Sequence, residues 1–459
     1  MERRNFLLAL SDTLTACAGV RPAPPREAAV AAPPAWRTAA ASEAALSAAW
    51  WQSFDDAVLN ALVAEALRNN DDLGLAAARV RAARAELSAA QAQRRPDVQA
   101  ALDGGRMRSV NPGFGVIEEQ TAREGLIQAS FDADLFGRLA AASEASRAAL
   151  LASEDARQTI RLSVAAMVAS AYFTLLALDA RLDVVRATVA VRRSELGLEQ
   201  RRYEAGYSTA LDLARAEAAW TSADQLIPGL EVELAKTENS LSMLLGRVPG
   251  PLPRGAALAG HVVPAVPVSL PSLLLRSRPD IAAAEARVAA SDHALDAARA
   301  AFLPDLRLAA SGGYVGSTLV RTSPLSVWSL GGSVLAPLFD GGRLQAQQEQ
   351  AAARRDEAAF AYRKTVLQAF REVEDNLAAT AKYQQQYEAL LRERAIQQRS
   401  LALATRRYRE GYANYLDQLD AQRNLLASEL SLVQARLNCF NAAISLMQAL
   451  GGGWSPERG

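Results

Sequence analysis

The chain has 459 residues and balances 50 acidic against 50 basic side chains, so no strong field draws it to nucleic acid. Half of its residues are hydrophobic and only 6% are aromatic, and with alanine abundant this composition favours long helices. Two cysteines exclude a disulfide framework, and two distant histidines, His261 and His293, leave no metal-site spacing.

Met1 to Cys17 carries Arg3, Arg4, the apolar run Phe6-Leu7-Leu8-Ala9-Leu10, and then Leu14-Thr15-Ala16-Cys17. Residues 1–17 resemble a secretory signal peptide ending in a bacterial lipobox, with Cys17 as the lipid anchor. Asp12 and the short apolar core depart from that pattern. Residues 18–50 are rich in proline and alanine and read as an extended arm. No run of ~20 apolar residues follows, so no transmembrane helix is expected, and a membrane span would have to be a β-barrel.

The first repeat, 51–247, opens with a helical pattern from Asp55 to Arg95 that Pro96 stops. Residues 97–136 change character: Gly104, Gly105, Asn111, Pro112, Gly113 and Gly115 mark a turn region. Beyond it Ile127, Ala129, Phe131, Ala133 and Leu135 alternate with polar residues, which predicts a strand. Arg138 to Ala205 is one long helix with a coiled-coil seam through Leu162, Ala166, Ala169, Phe173, Leu176 and Ala180. Gly206 breaks it, and a second helix runs to about Leu245 with a kink at Pro228. Residues 248–271 carry six prolines and read as a linker.

The second repeat, 272–450, keeps the order. Leu273–Leu303 is helical, Leu306 to Ala310 alternates, and Trp328 to Leu338 gives another strand. Arg343–Glu410 is the second long helix, Gly411 breaks it, and the last helix carries a seam from Leu426 through Leu430, Val433, Leu437, Phe440 and Ile444 to Met447. Residues 451–459 read as a loose tail.

The chain is duplicated. Arg201–Glu217 and Arg406–Gln422 share eight identities in seventeen at an offset of 205, and Asp72–Gly105 and Asp280–Gly313 share fifteen in thirty-four at an offset of 208. Helices of the predicted length reach ~100 Å at ~1.5 Å per residue, so they cannot lie inside an ordinary domain. Two shorter helices laid end to end would match one long one. Each half supplies two strands, and four strands cannot close a barrel, so closure must come from several chains.

Together, the duplicated helix–strand–strand–helix–helix order, the Gly-Arg-Leu after each strand pair (Gly137–Leu139 and Gly342–Leu344), and the two Tyr-x-x-Gly-Tyr…Leu-Asp segments resemble the TolC/OprM family of outer-membrane efflux factors. The match covers Trp50 to Leu450, and Cys17 points to the lipoprotein, NodT-type branch. The resemblance implies an α+β fold of internally duplicated, very long coiled-coil helices. They would form a periplasmic α-barrel, and four strands per chain would contribute to a 12-stranded trimeric transmembrane β-barrel. It implies a homotrimer in outer-membrane lipid of a Gram-negative bacterium, palmitate-anchored and extending into the periplasm. There it would meet a periplasmic adaptor (membrane fusion) protein and an inner-membrane transporter of the RND type. The duct would be passive, with no enzymatic activity, cofactor or metal, and would release drugs or other small molecules handed over by the pump.

The two breaks, Gly206 and Gly411, then become tip turns, and the family match makes Asp417, Asp420, Tyr408, Arg436, Asp212 and Glu195 periplasmic gate residues. Asp417 and Asp420, three apart, share a helical face, and three chains would stack them as two acidic rings. Some family members carry an arginine in the closing network where this chain has Ala413. A plainer reading stands beside the gate: Thr209-x-x-Asp212 and Asn414-x-x-Asp417 each look like a helix start with a capping residue and a first-turn acid. Trp328, Phe131, Phe136 and Phe339 suit an aromatic girdle or ordinary strand packing. Alternative cargoes are proteins or metal ions, and the alternative without a channel is a trimeric coiled-coil stalk.

Overall fold

The computed structural model describes residues 23–38, 46–111, 113–318 and 324–455; Cys17 and its lipobox lie outside them. In chain order the helices and strands are α1 (Ala57–Asn69), α2 (Asp71–Ala92), β1 (Asp97–Asn111), β2 (Val116–Asp132), α3 (Arg138–Glu204), α4 (Ala210–Asp224) and α5 (Leu226–Leu244). The second repeat gives α6 (Pro271–Ser277), α7 (Pro279–Ala300), β3 (Asp305–Ser317), β4 (Leu325–Leu335), α8 (Arg343–Arg409) and α9 (Tyr415–Ala449). The long helices α3 and α8 have 67 residues each, so each runs ~100 Å.

Three of the four shorter predicted helices are divided, each for a local reason; the last, Tyr415–Ala449, is continuous. Asn70 interrupts 55–95 with an extended backbone; its side chain accepts from Asp72 N–H (3.0 Å) and donates to the Leu244 carbonyl (2.9 Å). Arg278 interrupts 273–303 because Pro279 forces the preceding residue out of the helical region. The helix after Gly206 breaks at Gln225, just ahead of Pro228, whose ring cannot accept the carbonyl four residues back.

The described residues form two compact units, the first comprising residues 23–29, Arg79–Glu154 and Ala283–Lys364. It holds one antiparallel sheet in the order β1-β2-β3-β4. The region expected to be a turn is mostly strand: β1 and β2 pair from Asp97↔Ser130 to Asn111↔Val116. The glycines that suggested a turn, Gly104 and Gly105, lie in regular ladder positions. The register separates a mainly apolar face from a mainly polar one, with Met107, Leu126, Val327 and Leu335 falling on the polar side. One face carries Val98, Ala100 and Leu102 on β1, Ile127, Ala129 and Phe131 on β2, Leu308, Ala310 and Tyr314 on β3, and Trp328, Leu330 and Val334 on β4. Trp328 is 82% exposed and Leu102 87%, an apolar surface that water does not tolerate on a soluble sheet. The opposite face carries Asp97, Gln99, Asp103, Glu124, Gln128, Ser311 and Ser329. Phe136 and Phe339 lie just beyond β2 and β4, also exposed.

The second unit, Val30–Ala78, Asp155–Ala282 and Thr365–Gly459, has a packed core. Phe173 of α3 stacks on Phe440 of α9 (centroids 4.3 Å), with Phe54 against both. Val164, Val168, Tyr172, Leu175, Leu241, Ile444 and Met447 fill the cluster. By length and composition α3 could cross a membrane, but its apolar stretch is 61% buried within the fold, so this is a core helix. The proline-rich 248–271 is a strap packed onto the core. Leu252 and Leu258 are buried, Arg254 pairs with Asp179 (3.0 Å) and Glu238 (2.5 Å), and His261 sits 3.3 Å from the Asp56 carboxylate that Tyr172 also donates to (2.6 Å). The expected loose tail begins later than Gly451: Gly451 and Gly452 are buried, and a Cβ on Gly451 would stand 1.9 Å from the Ser277 carbonyl.

Candidate gate at the paired helical turns

Both long helices end in the same motif. Gly206 (φ +77) and Gly411 (φ +83) are left-handed, and the N–H groups of Tyr207 and Tyr412 each reach back 2.8 Å to the carbonyls of Arg202 and Arg407. This is the Schellman closure that glycine permits. The next helix then starts on a side-chain cap: Thr209 Oγ1 accepts from Asp212 N–H (3.1 Å), and Asn414 Oδ1 from Asp417 N–H (2.9 Å). The plainer reading of both segments therefore holds.

Inside the turns lies a polar cluster built on a continuing heptad. Leu182, Val185, Val189, Arg192, Leu196 and Glu199 step by three and four along α3. Two of its positions, Arg192 and Glu199, place a cation and a carboxylate where the others, Leu196 between them included, place aliphatic groups. The Glu199 side chain is 1% exposed. It accepts from Tyr408 Oη of α8 (2.8 Å), Ser208 Oγ (3.0 Å) and the Arg202 guanidinium (3.2 Å). Three charge-assisted contacts are what a buried carboxylate requires. The Arg202 guanidinium also lies 5.2 Å over the Tyr408 ring, and Tyr415 sits 5.3 Å from that ring. Burial, then the Glu199 carboxylate, pushes the Tyr408 phenol up to about 12. Burial also raises Tyr415, with Glu195 and Glu199 adding to it. Glu195 accepts from Gln418 (2.8 Å) and Gln422 (2.6 Å) of α9. Arg192, lowered from its ordinary range chiefly by burial and then by Arg423, donates to the Ala219 carbonyl of α4 (2.7 Å). Four helix ends are thus tied through polar contacts.

Of the residues singled out in the sequence, Tyr408 and Glu195 are in this cluster. Asp212 serves its own turn, accepting from Thr209 Oγ1 (2.7 Å) and pairing with Arg215 (3.3 Å). Asp417 and Asp420 are both exposed on one side of α9, while Gln418 and Leu419 between them are buried; Asp420 pairs with Arg423 at 3.2 Å. Arg436 is not brought to the turn. It lies 21 residues beyond Tyr415 on α9, a separation of ~31 Å at helical rise, donating to the His261 carbonyl over the rings of Tyr387 (4.9 Å) and Phe440 (5.2 Å). Sequence reasoning missed Glu199, Arg202, Ser208, Gln418 and Arg192; polar residues at heptad core positions were the available signal. The duplication is also broken here. At the repeat offset Glu199 corresponds to Ala404, and Tyr408 to Tyr203, which is 45% exposed.

A duplicated pair of long helical hairpins, an open-edged four-stranded sheet with one mainly apolar face, and a polar knot at the helix turns together define a subunit of a membrane-spanning duct. A family model of outer membrane efflux proteins matches residues 62–247 and 270–452, and the chain belongs to that family. Pyoverdine export outer membrane protein OpmQ of Pseudomonas putida is 35% identical over 100% of this chain and 99% of its own length. Toluene efflux pump outer membrane protein TtgI of the same species is 34% identical, over 88% of this chain and 87% of its own. Among solved structures the outer-membrane channel OprN aligns with a TM-score of 0.85 at 28% identity, covering 96% of this chain and 100% of that one. The protein is therefore an efflux channel of the Gram-negative outer membrane that extends into the periplasm, a trimer working with efflux-pump components.

Proposed function

We propose that this chain forms the exit duct for small organic molecules delivered by an inner-membrane pump of the RND type through a periplasmic adaptor. Its tip is held narrow by the Glu199 cluster, and Asp417 and Asp420 ring the constriction. The observation that carries the gate is the buried Glu199 carboxylate of α3 held by Tyr408 of α8. It joins the two repeats at their turns, so parting the helices there must break it. The small-molecule cargo is supported by the relatives, whose names specify pyoverdine and toluene.

Single-channel recording in planar bilayers tests the gate. Tyr408→Phe deletes the phenol hydroxyl and keeps the ring, leaving Glu199 short of one donor. Such a loss costs about 1–3 kcal/mol, enough to raise the open fraction several-fold. A conductance and open probability equal to the parent protein would count against the cluster as the lock. For the cargo, deletion of the gene should lower resistance to apolar toxicants such as toluene; unaltered resistance together with lost secretion of a protein would instead favour the protein-export reading.

A further inference from the structure

The apolar face of the sheet ends abruptly. Its rows, counted from the helix side, are Leu306 with Val334, Phe131 with Leu308, Val98 with Ala129 and Ala310, Ala100 with Ile127 and Trp328, and Leu102 with Tyr314. These rows span eight residues of strand, or ~27 Å at ~3.3 Å per residue, and ~20 Å once strands tilt as in outer-membrane barrels. The apolar band of such barrels is ~25 Å tall. The next three rows toward the hairpin ends carry Arg123, then Arg106 opposite Thr121, then Arg108 opposite Glu119. On the described residues of this face, these four are the only charged side chains, three cations against one anion.

All four are exposed. Glu119 pairs with Arg106 at 2.7 Å and Arg108 at 3.6 Å, which fixes two guanidinium groups side by side. Arg123 has no ionic partner among the described residues. An arginine facing lipid costs about 2–4 kcal/mol at the midplane and about 0–1 near the interface. Burial in the membrane interior is thus excluded, and these rows sit at headgroup level. Because α2, α3, α7 and α8 all join the strands at their other ends, the hairpin ends face the cell exterior, and the headgroups there belong to the outer leaflet. Planar guanidinium forks match phosphate oxygens bidentately.

We propose that Arg106, Arg108 and Arg123 form a docking surface for the phosphate groups of an outer-leaflet lipid, one such surface per chain. The inference rests on the sheet lying in the outer membrane with its hairpins outward. The apolar rows below take the acyl chains, and Trp328 and Tyr314 stand at the boundary between the two.

The test uses the full-length protein purified in mild detergent and native mass spectrometry, with three probes: bisphosphorylated lipid A, its dephosphorylated form, and inorganic phosphate. The expected result is retention of bisphosphorylated lipid A, about tenfold weaker in the double variant Arg106→Gln/Arg123→Gln and unchanged in Arg307→Gln. Arg307 lies on the opposite face of the same sheet, so that variant removes charge without removing the surface. Equal retention of both lipid forms, or undiminished retention by the double variant, would overturn the proposal. Competition by millimolar inorganic phosphate alone would replace a lipid surface with a free-anion site and overturn it equally. Conductance of the parent protein is recorded alongside: its loss would undo the channel reading itself, whatever the lipid result.

Discussion

At the scale of the residue, Glu199 ties the two turns together. A carboxylate at 1% exposure is tolerable only with its donors in place, so Glu199→Gln should loosen the tip without unfolding the chain, raising open probability with a change in Tm of a few degrees. A normal conductance in that variant would sink the lock. The phenol on the other side sets the pH range. Its ordinary value is 10.0 and the folded value is about 12. The raised value means the folded state holds the protonated phenol more tightly than the unfolded state. The contact is therefore whole below pH 10 and lost as pH rises through about 12. Conductance recorded from pH 6 to 9 should show no transition from this group, with opening only in the alkaline window. Asp420 is the residue whose effect should be felt by ions: Asp420→Asn should lower cation selectivity at the tip, measurable as a reversal-potential shift in a salt gradient.

At the scale of the element, the turns and strands tell opposite stories about legibility. Gly206, Gly411, Thr209 and Asn414 were readable because local chemistry dictates their geometry: a left-handed glycine closes each helix and a side-chain oxygen opens the next. Gly411→Ala should accordingly cost about 1–2 kcal/mol from the left-handed φ alone, since nothing crowds the position; calorimetry showing no loss would contradict that geometry. The two 67-residue helices were legible within a residue or so at each end. The hairpin β1–β2 is legible only in part: the alternation from Ile127 marks the end of β2, whereas Gly104, Gly105 and Gly125 break the two-residue pattern elsewhere and small residues replace bulky ones. Its pairing is enforced by neighbours along the full ladder. The breaks at Asn70, Arg278 and Gln225 come from a capping side chain and from prolines, signals too short to outweigh a strong helical pattern. Arg436 is a different case: the family match makes it a gate residue, while its guanidinium lies on the His261 carbonyl and two aromatic rings.

At the scale of the whole molecule, the four-stranded sheet cannot stand alone. β1 and β4 are its edges, and each offers a row of unpaired backbone groups that lipid would not satisfy. Three chains supply twelve strands and close the ring. Chemical cross-linking in detergent should therefore build a ladder that ends at three chains, and a ladder ending at two or four would refute that closure. The small aromatic content fits this placement, since much of it is spent on the sheet rim and on the core around Phe173 and Phe440.

The unequal fates of Tyr203 and Tyr408 reach further than one chain. Three chains present six turns, so a ring drawn from the backbone alone looks sixfold. The side chains make it threefold, because buried Glu199 has Ala404 as its counterpart in the second repeat. Any partner that meets the ring with six identical arms encounters two alternating kinds of seat. Half of its arms land on Gly206 turns, which bear buried Glu199 and exposed Tyr203, and half on Gly411 turns, whose Tyr408 is taken up by that carboxylate.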